Sequence, residues 1–250
     1  MIISDSHCHL HGVKPEQFEG VLKQARENNV GIIMHVGESL ESSAMAIHNA
    51  ESHGEIVASI GIHPWNAVPP TDEIKKRLAE LAGSKHVVAI GEIGLDYARN
   101  PQTKETQKEL LAYQASFARE RGLPVDVHSR EAHEDMMLIM RKEVASGLKG
   151  IAHGFTGDLP VLKDWLDLGF YISIGVRGFV VKELPHMPAM VAAIPPDRLL
   201  TETDSAAVDE LTAPSSVSLV VRKLAAIRGT SPEEIAVTTV ANLKRILKLS

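Results

Sequence analysis

Ile2-Ile3-Ser4-Asp5-Ser6-His7-Cys8-His9 opens the chain with a short apolar run that ends in two histidines spaced i and i+2. In an extended chain successive side chains point to opposite faces, so His7 and His9 share one side while Cys8 points away. Two imidazoles delivered together from a strand end suit a borderline-soft divalent metal. An isolated H-x-H is also found in polar loops. The reading gains weight because the same event, an apolar run ending in a metal-capable side chain, recurs along the chain.

Short runs rich in Val and Ile predict strands at Ile2–Ser4, Val30–Val36, Ile56–Ile60, Val87–Ile90, Pro124–Val127, Gly150–Ala152, Phe170–Ile174 and Arg198–Thr201. Such runs are expected of strands buried on both faces of a parallel sheet. Amphipathic stretches alternate with them at Lys14–Asn28, Asp72–Leu81, Gln102–Arg121, Glu131–Ala145 and Pro160–Leu168. Helix starts are signalled by Pro15 before Glu16, by Thr71-Asp72-Glu73 and by Asp158 ahead of Pro160. Ser231-Pro232-Glu233-Glu234 then announces a closing helix that runs on to Leu249. Eight strand–helix units without a linker predict a single (β/α)8 TIM barrel domain spanning residues 1–250. A doubly wound sheet is the rival, but neither G-x-G-x-x-G after a strand nor G-x-x-x-x-G-K-[ST] occurs.

The predicted strands end in chemistry. Strand one ends in His7 and His9, and strand three in Gly61-Ile62-His63-Pro64-Trp65. Strand four ends in Gly91-Glu92-Ile93-Gly94-Leu95-Asp96-Tyr97, and strand five in Val127-His128-Ser129-Arg130. Strand six ends in His153-Gly154-Phe155-Thr156-Gly157, and strand eight in Glu202-Thr203-Asp204. Barrel strands all run the same way, so these ends are expected on one rim. A single strand-end histidine more often bonds a backbone carbonyl than a metal; six such endings point to a metal site.

Composition sets the outer bounds. The 250 residues are 44% apolar and 23% charged, an ordinary balance for a chain that buries a sizeable core. A net charge of −6 argues against gripping long nucleic acids by charge alone. One cysteine excludes an intrachain disulfide and fits a reducing compartment. No apolar run approaches a membrane span. With His7 and His9 in the first ten residues, no signal peptide is expected ahead of the fold, and a cytoplasmic location follows. No obligate protein partner is indicated.

His7, His9, Glu92, His128, His153 and Asp204 supply four imidazoles and two carboxylates. That exceeds the need of one four-coordinate ion with an open position, and suits two divalent ions sharing a carboxylate. Glu92 is the best bridge, because a carboxylate has two oxygens to share. The nitrogen-rich set favours Zn, Mn, Fe or Ni, with Mg admissible in activity.

At these residues the chain resembles the TatD family of metal-dependent hydrolases, a branch of the amidohydrolase superfamily. The resemblance is carried by D-S-H-C-H-L, G-I-H-P-W, G-E-I-G-L-D-Y, V-D-V-H-S-R, H-G-F-T-G and E-T-D-S, from Ser4 to about Ser205 and in the family's order. It implies a TIM barrel, one or two divalent metals, and hydrolysis, with deoxyribonuclease or 3′-exonuclease activity the best-known assignment. It further implies one metal on His7, His9, Glu92 and Asp204 and another on Glu92, His128 and His153. By the same match Asp204 is the base for the attacking water and His63 lies near the scissile phosphate. The chain departs from the family after E-T-D-S, where a proline and then an arginine-bearing loop are usual. Here Ala206-Ala207-Val208-Asp209-Glu210-Leu211 follows, and no arginine occurs between Arg198 and Arg222. The departure bears on the substrate rather than on the metals.

Several residues carry two readings. Arg130 shares the side of His128 and either meets a substrate phosphate or pairs with Asp126 or Glu131. Arg177, between Val176 and Gly178, is either a substrate contact or a solvated loop residue. Asp96 either orients a ligand histidine or caps the turn with Tyr97. Trp65 either stacks a base or sugar or packs the barrel mouth. Cys8 reads as a small buried hydrophobe. His11, His35, His48, His53, His86, His133 and His186 read as surface or structural, with His35 the borderline case because it closes strand two.

The expected chemistry is a water activated by two metals, Asp204 accepting its proton, and His63 with Arg130 stabilising charge on the attacked oxygen. Such a site fixes hydrolysis more firmly than substrate. Three functions fit: a phosphodiesterase acting on DNA ends or short single strands, an amidohydrolase or esterase of a small molecule, and a non-catalytic barrel with structural metals. A full ligand set with an open position counts against the last.

Overall fold

The computed structural model describes residues 1–205 and 213–250. Among them, eight strands form one parallel sheet in the order β1 to β8. These are β1 (Ile3–Cys8), β2 (Val30–Val36), β3 (Ile56–Ile60), β4 (Val87–Asp96), β5 (Val125–Arg130), β6 (Gly150–Ala152), β7 (Tyr171–Gly175) and β8 (Leu199–Glu202). The helices between and after them are α1 (Pro15–Glu27), α2 (Leu40–Ser52), α3 (Asp72–Leu81), α4 (Lys104–Glu120), α5 (His133–Val144), α6 (Leu159–Asp167), α7 (Met187–Ala193), α8 (Val217–Arg228) and α9 (Pro232–Leu247). Sequential parallel strands joined by helices are the topology of a (β/α)8 barrel. None of the described helices is long and apolar enough to cross a membrane.

Three strands run three or more residues further than their apolar runs predict. β1 continues through Ser4-Asp5-Ser6-His7-Cys8, β4 through Glu92 to Asp96, and β5 through His128 to Arg130. Polar residues extend these strands where backbone partners are available: Gly94 pairs with His128 and Asp96 with Arg130. α2, α7 and α8 stand where the sequence reading placed no bounded helix. α2 begins at a capping box, Ser39 accepting the Ser42 amide N–H while the Ser42 side chain accepts that of Ser39.

The chain forms two compact units, Met1–His35 with His153–Leu166 and Tyr171–Ser250, and Val36–Ala152 with Asp167–Phe170. In the first, Leu22 and Ala25 of α1, Val217, Val220, Val221 and Leu224 of α8, and Ile235, Leu243 and Ile246 of α9 are buried. α9 packs against β1 and β8, and buried Asn242 donates its side-chain N–H groups to the Pro196 and Leu199 carbonyls at 2.7 and 2.9 Å. The second unit buries Leu110, Leu111, Ala115 and Ala118 of α4 and Met136 and Met140 of α5. Each buried large side chain contributes about 1.5–3 kcal/mol relative to exposure.

Candidate functional site

Within the first unit, His7, His9 and Asp204 come together through backbone pairing. The Asp204 amide donates to the His7 carbonyl at 3.0 Å, and the His9 amide donates to that of Ser205 at 2.6 Å. Asp204 takes a left-handed backbone (φ 51°), tolerated by aspartate. His7 Nε2 then lies 3.0 Å from His9 Nε2, and Asp204 Oδ1 lies 4.0 Å from the first and 3.7 Å from the second. Two imidazole nitrogens facing each other beside a carboxylate suit a shared cation, so this donor set fits a divalent metal. His7, buried, also stacks on His153 with ring centroids 3.8 Å apart and an 8° interplanar angle.

Behind His153 stands Glu202, a buried carboxylate that the sequence reading left without a role. Its Oε1 accepts the Gly154 amide at 2.6 Å and lies 3.5 Å from His153 Nδ1. This leaves Nε2 as the atom with which His153 would hold an ion. Burial pushes the Glu202 carboxyl up, yet the hydrogen bond and charge of His153, the charge of His7 and the Ser173 hydroxyl together hold it below its ordinary range. Gly175 makes room for this carboxylate, since a Cβ there would sit 3.0 Å from Oε1. Asp5 serves the same unit: it accepts the Thr203 amide at 2.9 Å and the Thr203 hydroxyl at 2.6 Å, and burial raises its pKa to about 7 against those bonds.

Within the second unit, His63, Glu92 and His128 form another set of possible ligands. Glu92 Oε1 lies 3.1 Å from His63 Nε2 and 2.9 Å from His128 Nδ1. Burial holds the His63 pKa below its ordinary value despite Glu92. A neutral His63 whose Nδ1 accepts the Trp65 amide at 3.1 Å carries its proton on Nε2, facing Glu92. His128 Nε2 lies 3.2 Å from Asp96 Oδ2, which leaves Nδ1 as the atom with which it would hold an ion. Gly94 is required where β4 and β5 run closest: its φ is +152°, and a Cβ there would collide with the His128 carbonyl.

Asp96 contacts His128 and caps its turn through the Arg99 amide rather than with Tyr97. Oδ2 also accepts the indole N–H of Trp65 at 2.7 Å, and Oδ1 accepts the Arg99 amide at 2.9 Å. Burial alone would raise this carboxyl; the hydrogen bonds from His128, Arg99 and Trp65 outweigh it and hold it well below the usual carboxylate range. Two buried glutamines of α4, seven residues apart and so on one helix face, clamp the frame. Gln107 accepts the Asp96 amide at 2.8 Å and donates to the Asp96 carbonyl at 3.1 Å. Gln114 does the same for Ile62, just ahead of His63, at 2.8 and 3.1 Å.

The remaining candidates are less engaged. Arg130 is exposed at the end of β5, and among the described residues neither Asp126 nor Glu131 pairs with it. Arg177 is exposed at the start of a π-helical turn, Arg177–Val181, after β7. Trp65 is half-buried, and its ring carries the guanidinium carbon of Arg99 at 3.8 Å from the centroid. Cys8 is a buried free thiol, which burial pushes well above its ordinary pKa. His11 lies 5.4 Å from His9 between ring centroids and 6.0 Å from His35, and burial, then the charges of His11 and His9, hold His35 well below its ordinary value. The 206–211 stretch that replaces the family's arginine-bearing loop lies outside the described residues. Arg99 and Glu202 went unremarked because their partners, 34 and 49 positions away in Trp65 and His153, meet them only in space.

A parallel barrel carrying strand-end histidines backed by carboxylates is the build of a metal-dependent hydrolase. The chain belongs to the TatD related DNase family, whose pattern it matches over residues 4–248. It is 34% identical over the whole of both chains to the uncharacterized metal-dependent hydrolase YabD of Bacillus subtilis. It is 32% identical to the 3′-5′ ssDNA/RNA exonuclease TatD of Erwinia tasmaniensis, covering 92% of this chain and 93% of that protein. The crystal structure of YjjV, a TatD homologue of Escherichia coli K12, matches with a TM-score of 0.87 at 27% identity over 99% of this chain and 98% of its own.

Proposed function

We propose that the protein is a metal-dependent phosphodiesterase acting on DNA ends or short single strands, with His7, His9, Glu92, His128, His153 and Asp204 holding one or two divalent ions. The observation that carries this reading is the pair of oriented donor sets, each with a carboxylate behind a histidine: Glu202 behind His153 and Asp96 behind His128. Bound there, divalent ions would supply Lewis acidity for a phosphoryl oxygen and acidity to a water. Asp204 takes that water's proton. His63, whose Nε2–H faces Glu92, would redirect that donor to the oxygen that gains charge. The likeness to a named 3′-5′ ssDNA/RNA exonuclease supports nucleic acid as the substrate class. The buried free thiol of Cys8 supports a reducing, cytoplasmic setting.

A net charge of −6 favours a short or frayed strand over a long duplex, which needs a broad cationic track. The test is turnover by metal-loaded protein of a single-stranded oligonucleotide, a closed circular duplex and a panel of small amides and esters. The expected result is cleavage of the oligonucleotide from an end inward, none of the circle, and loss of activity on chelation. Efficient cutting of the circle would overturn the end-directed reading. Turnover of amides or esters alone would make the protein a small-molecule hydrolase.

A further inference from the structure

Arg99 stands three residues past the end of β4, in the segment that leads to α4. Its amide is held by Asp96, the carboxylate that also holds His128. Its guanidinium carbon lies over the indole of Trp65, 3.8 Å from the ring centroid, and that indole is itself fixed by its N–H on Asp96, with its centroid 4.6 Å from that of His63. An exposed arginine is therefore set in place one ring away from His63. Stacking on an aromatic face leaves the five N–H donors of a guanidinium directed outward in its plane, and reduces the rotamer freedom lost when it binds an oxyanion.

Several other arginines are either spent or loose. Arg121 is the other exposed arginine held on a ring with no carboxylate partner among the described residues, over Phe117 just past the end of α4, whereas Arg99 stands before the start of that helix, beside Trp65. Arg119 pairs with Glu143 at 3.0 Å and Arg77 with Glu80 at 2.9 Å. Arg130 and Arg177 are exposed, and among the described residues no ring or carboxylate holds their guanidinium groups. Arg99 has no carboxylate partner among the described residues either, so nothing must be displaced before it binds an anion. Lys104, in the same segment, sits over Tyr97 with its ammonium 4.2 Å from the ring centroid. Two ring-held cations so close in sequence are a local positive feature on a chain of net negative charge.

We propose that Arg99, pre-set on Trp65, is a phosphate anchor: a bidentate donor to the non-bridging oxygens of a nucleotide substrate or product, with Lys104 as an outer second cation. Trp65 is then the platform of an arginine rather than of a base. This proposal rests on the phosphodiesterase reading for its substrate class.

The test uses the metal-loaded full chain and thymidine 5′-monophosphate as probe, with thymidine as the phosphate-free control. Arg99→Ala should weaken calorimetric binding of the monophosphate about tenfold or more, as expected for a lost charge-assisted pair, and leave thymidine unaffected. Arg99→Lys should restore part of it, since it keeps the charge but not the fork. With a single-stranded oligonucleotide, Arg99→Ala should raise KM by a similar factor at nearly unchanged kcat, and the salt slope of binding should fall by about 0.7. Arg77→Ala, on α3, is the matched control. A purely structural Arg99, acting through Asp96, would instead lower kcat and leave the salt slope alone. Wild-type affinity for the monophosphate in Arg99→Ala, or no binding by the wild type, overturns the anchor. If the monophosphate binds through Arg99 while no oligonucleotide is cut, the anchor stands and the phosphodiesterase reading falls.

Discussion

In the unit that contains β1 and β8, His7, His9 and Asp204 are gathered by backbone hydrogen bonds, Asp204 N–H to His7 and His9 N–H to Ser205. In the unit that contains β3, β4 and β5, His63, Glu92 and His128 also have backbone partners, but their side chains are further linked to one another through other side chains. Asp96 holds His128 and Trp65, and Gln107 and Gln114 hold the segments that carry Asp96 and His63. The first arrangement survives a side-chain substitution with its frame intact. The second transmits it, because each side chain there holds the next. One set is thus suited to fixed ligation, and the other connects its ligand to a rim arginine.

The largest expected effect tests the backbone-held set. Asp204→Asn keeps a residue that accepts the left-handed φ of 51° and retains the amide bonded to His7. The protein should fold and melt as the parent does, while turnover falls about 10²–10⁴-fold, the contribution of a positioned general base. Activity within tenfold of the parent would assign the proton to another group.

A pair of variants tests the difference between the sets directly. Asp96→Asn and Glu202→Gln each remove the charge behind one histidine, and such partners carry about 10–100-fold in metal affinity or activity. Glu202→Gln keeps an oxygen for the Gly154 amide, so its loss should stay with the neighbouring His153 and His7 and show as weaker metal binding. Asp96→Asn disturbs His128, Trp65 and Arg99 together, and should cost more in turnover than in metal content. Equal losses of both kinds in the two variants, measured by metal analysis beside kinetics, would break the distinction.

The same contrast explains how far the sequence could be read. β2, β3 and β6 have the bounds predicted from their Val- and Ile-rich runs, because nothing but burial selects their residues. β1, β4 and β5 were predicted short. Beyond their apolar runs the strands continue through Asp5, His7, Glu92, Asp96 and His128, where chemistry replaces the hydrophobic signal. The candidate ligand histidines stood out for the complementary reason, as polar residues placed where apolar runs stop. Glu202 was in plain view beside Asp204, but its contact with His153 joins two strands, and no local pattern announces it. Arg99 on Trp65 is invisible for the same reason. α2 escaped because serines at Ser39, Ser42 and Ser43 look like a loop until Ser39 and Ser42 are seen to cap each other.

The smallest expected effect compares the capping boxes that begin α2 and α9. Ser231 accepts the Glu234 amide at 3.1 Å, and Ser39 accepts that of Ser42 at 3.2 Å. Loss of either cap should cost about 1 kcal/mol, read as a drop in Tm of roughly 2–4 °C for a chain of this size. Ser231→Ala should do nothing else, since α9 supplies no donor to either set. Ser39→Ala should also lower turnover by a few-fold. Its turn carries the Gly37 carbonyl that accepts the Glu92 amide at 2.9 Å and the Glu38 carbonyl that accepts the His63 amide at 3.0 Å. The Glu38 amide is in turn bound to the Ser42 hydroxyl at 2.8 Å, so loosening the cap loosens the seat of both residues. Matching losses of Tm with unequal losses of turnover are the expected outcome. If Ser39→Ala turns over substrate as fast as Ser231→Ala, the seat of Glu92 and His63 does not depend on that cap, and the side-chain-held set is stiffer than its hydrogen bonds imply.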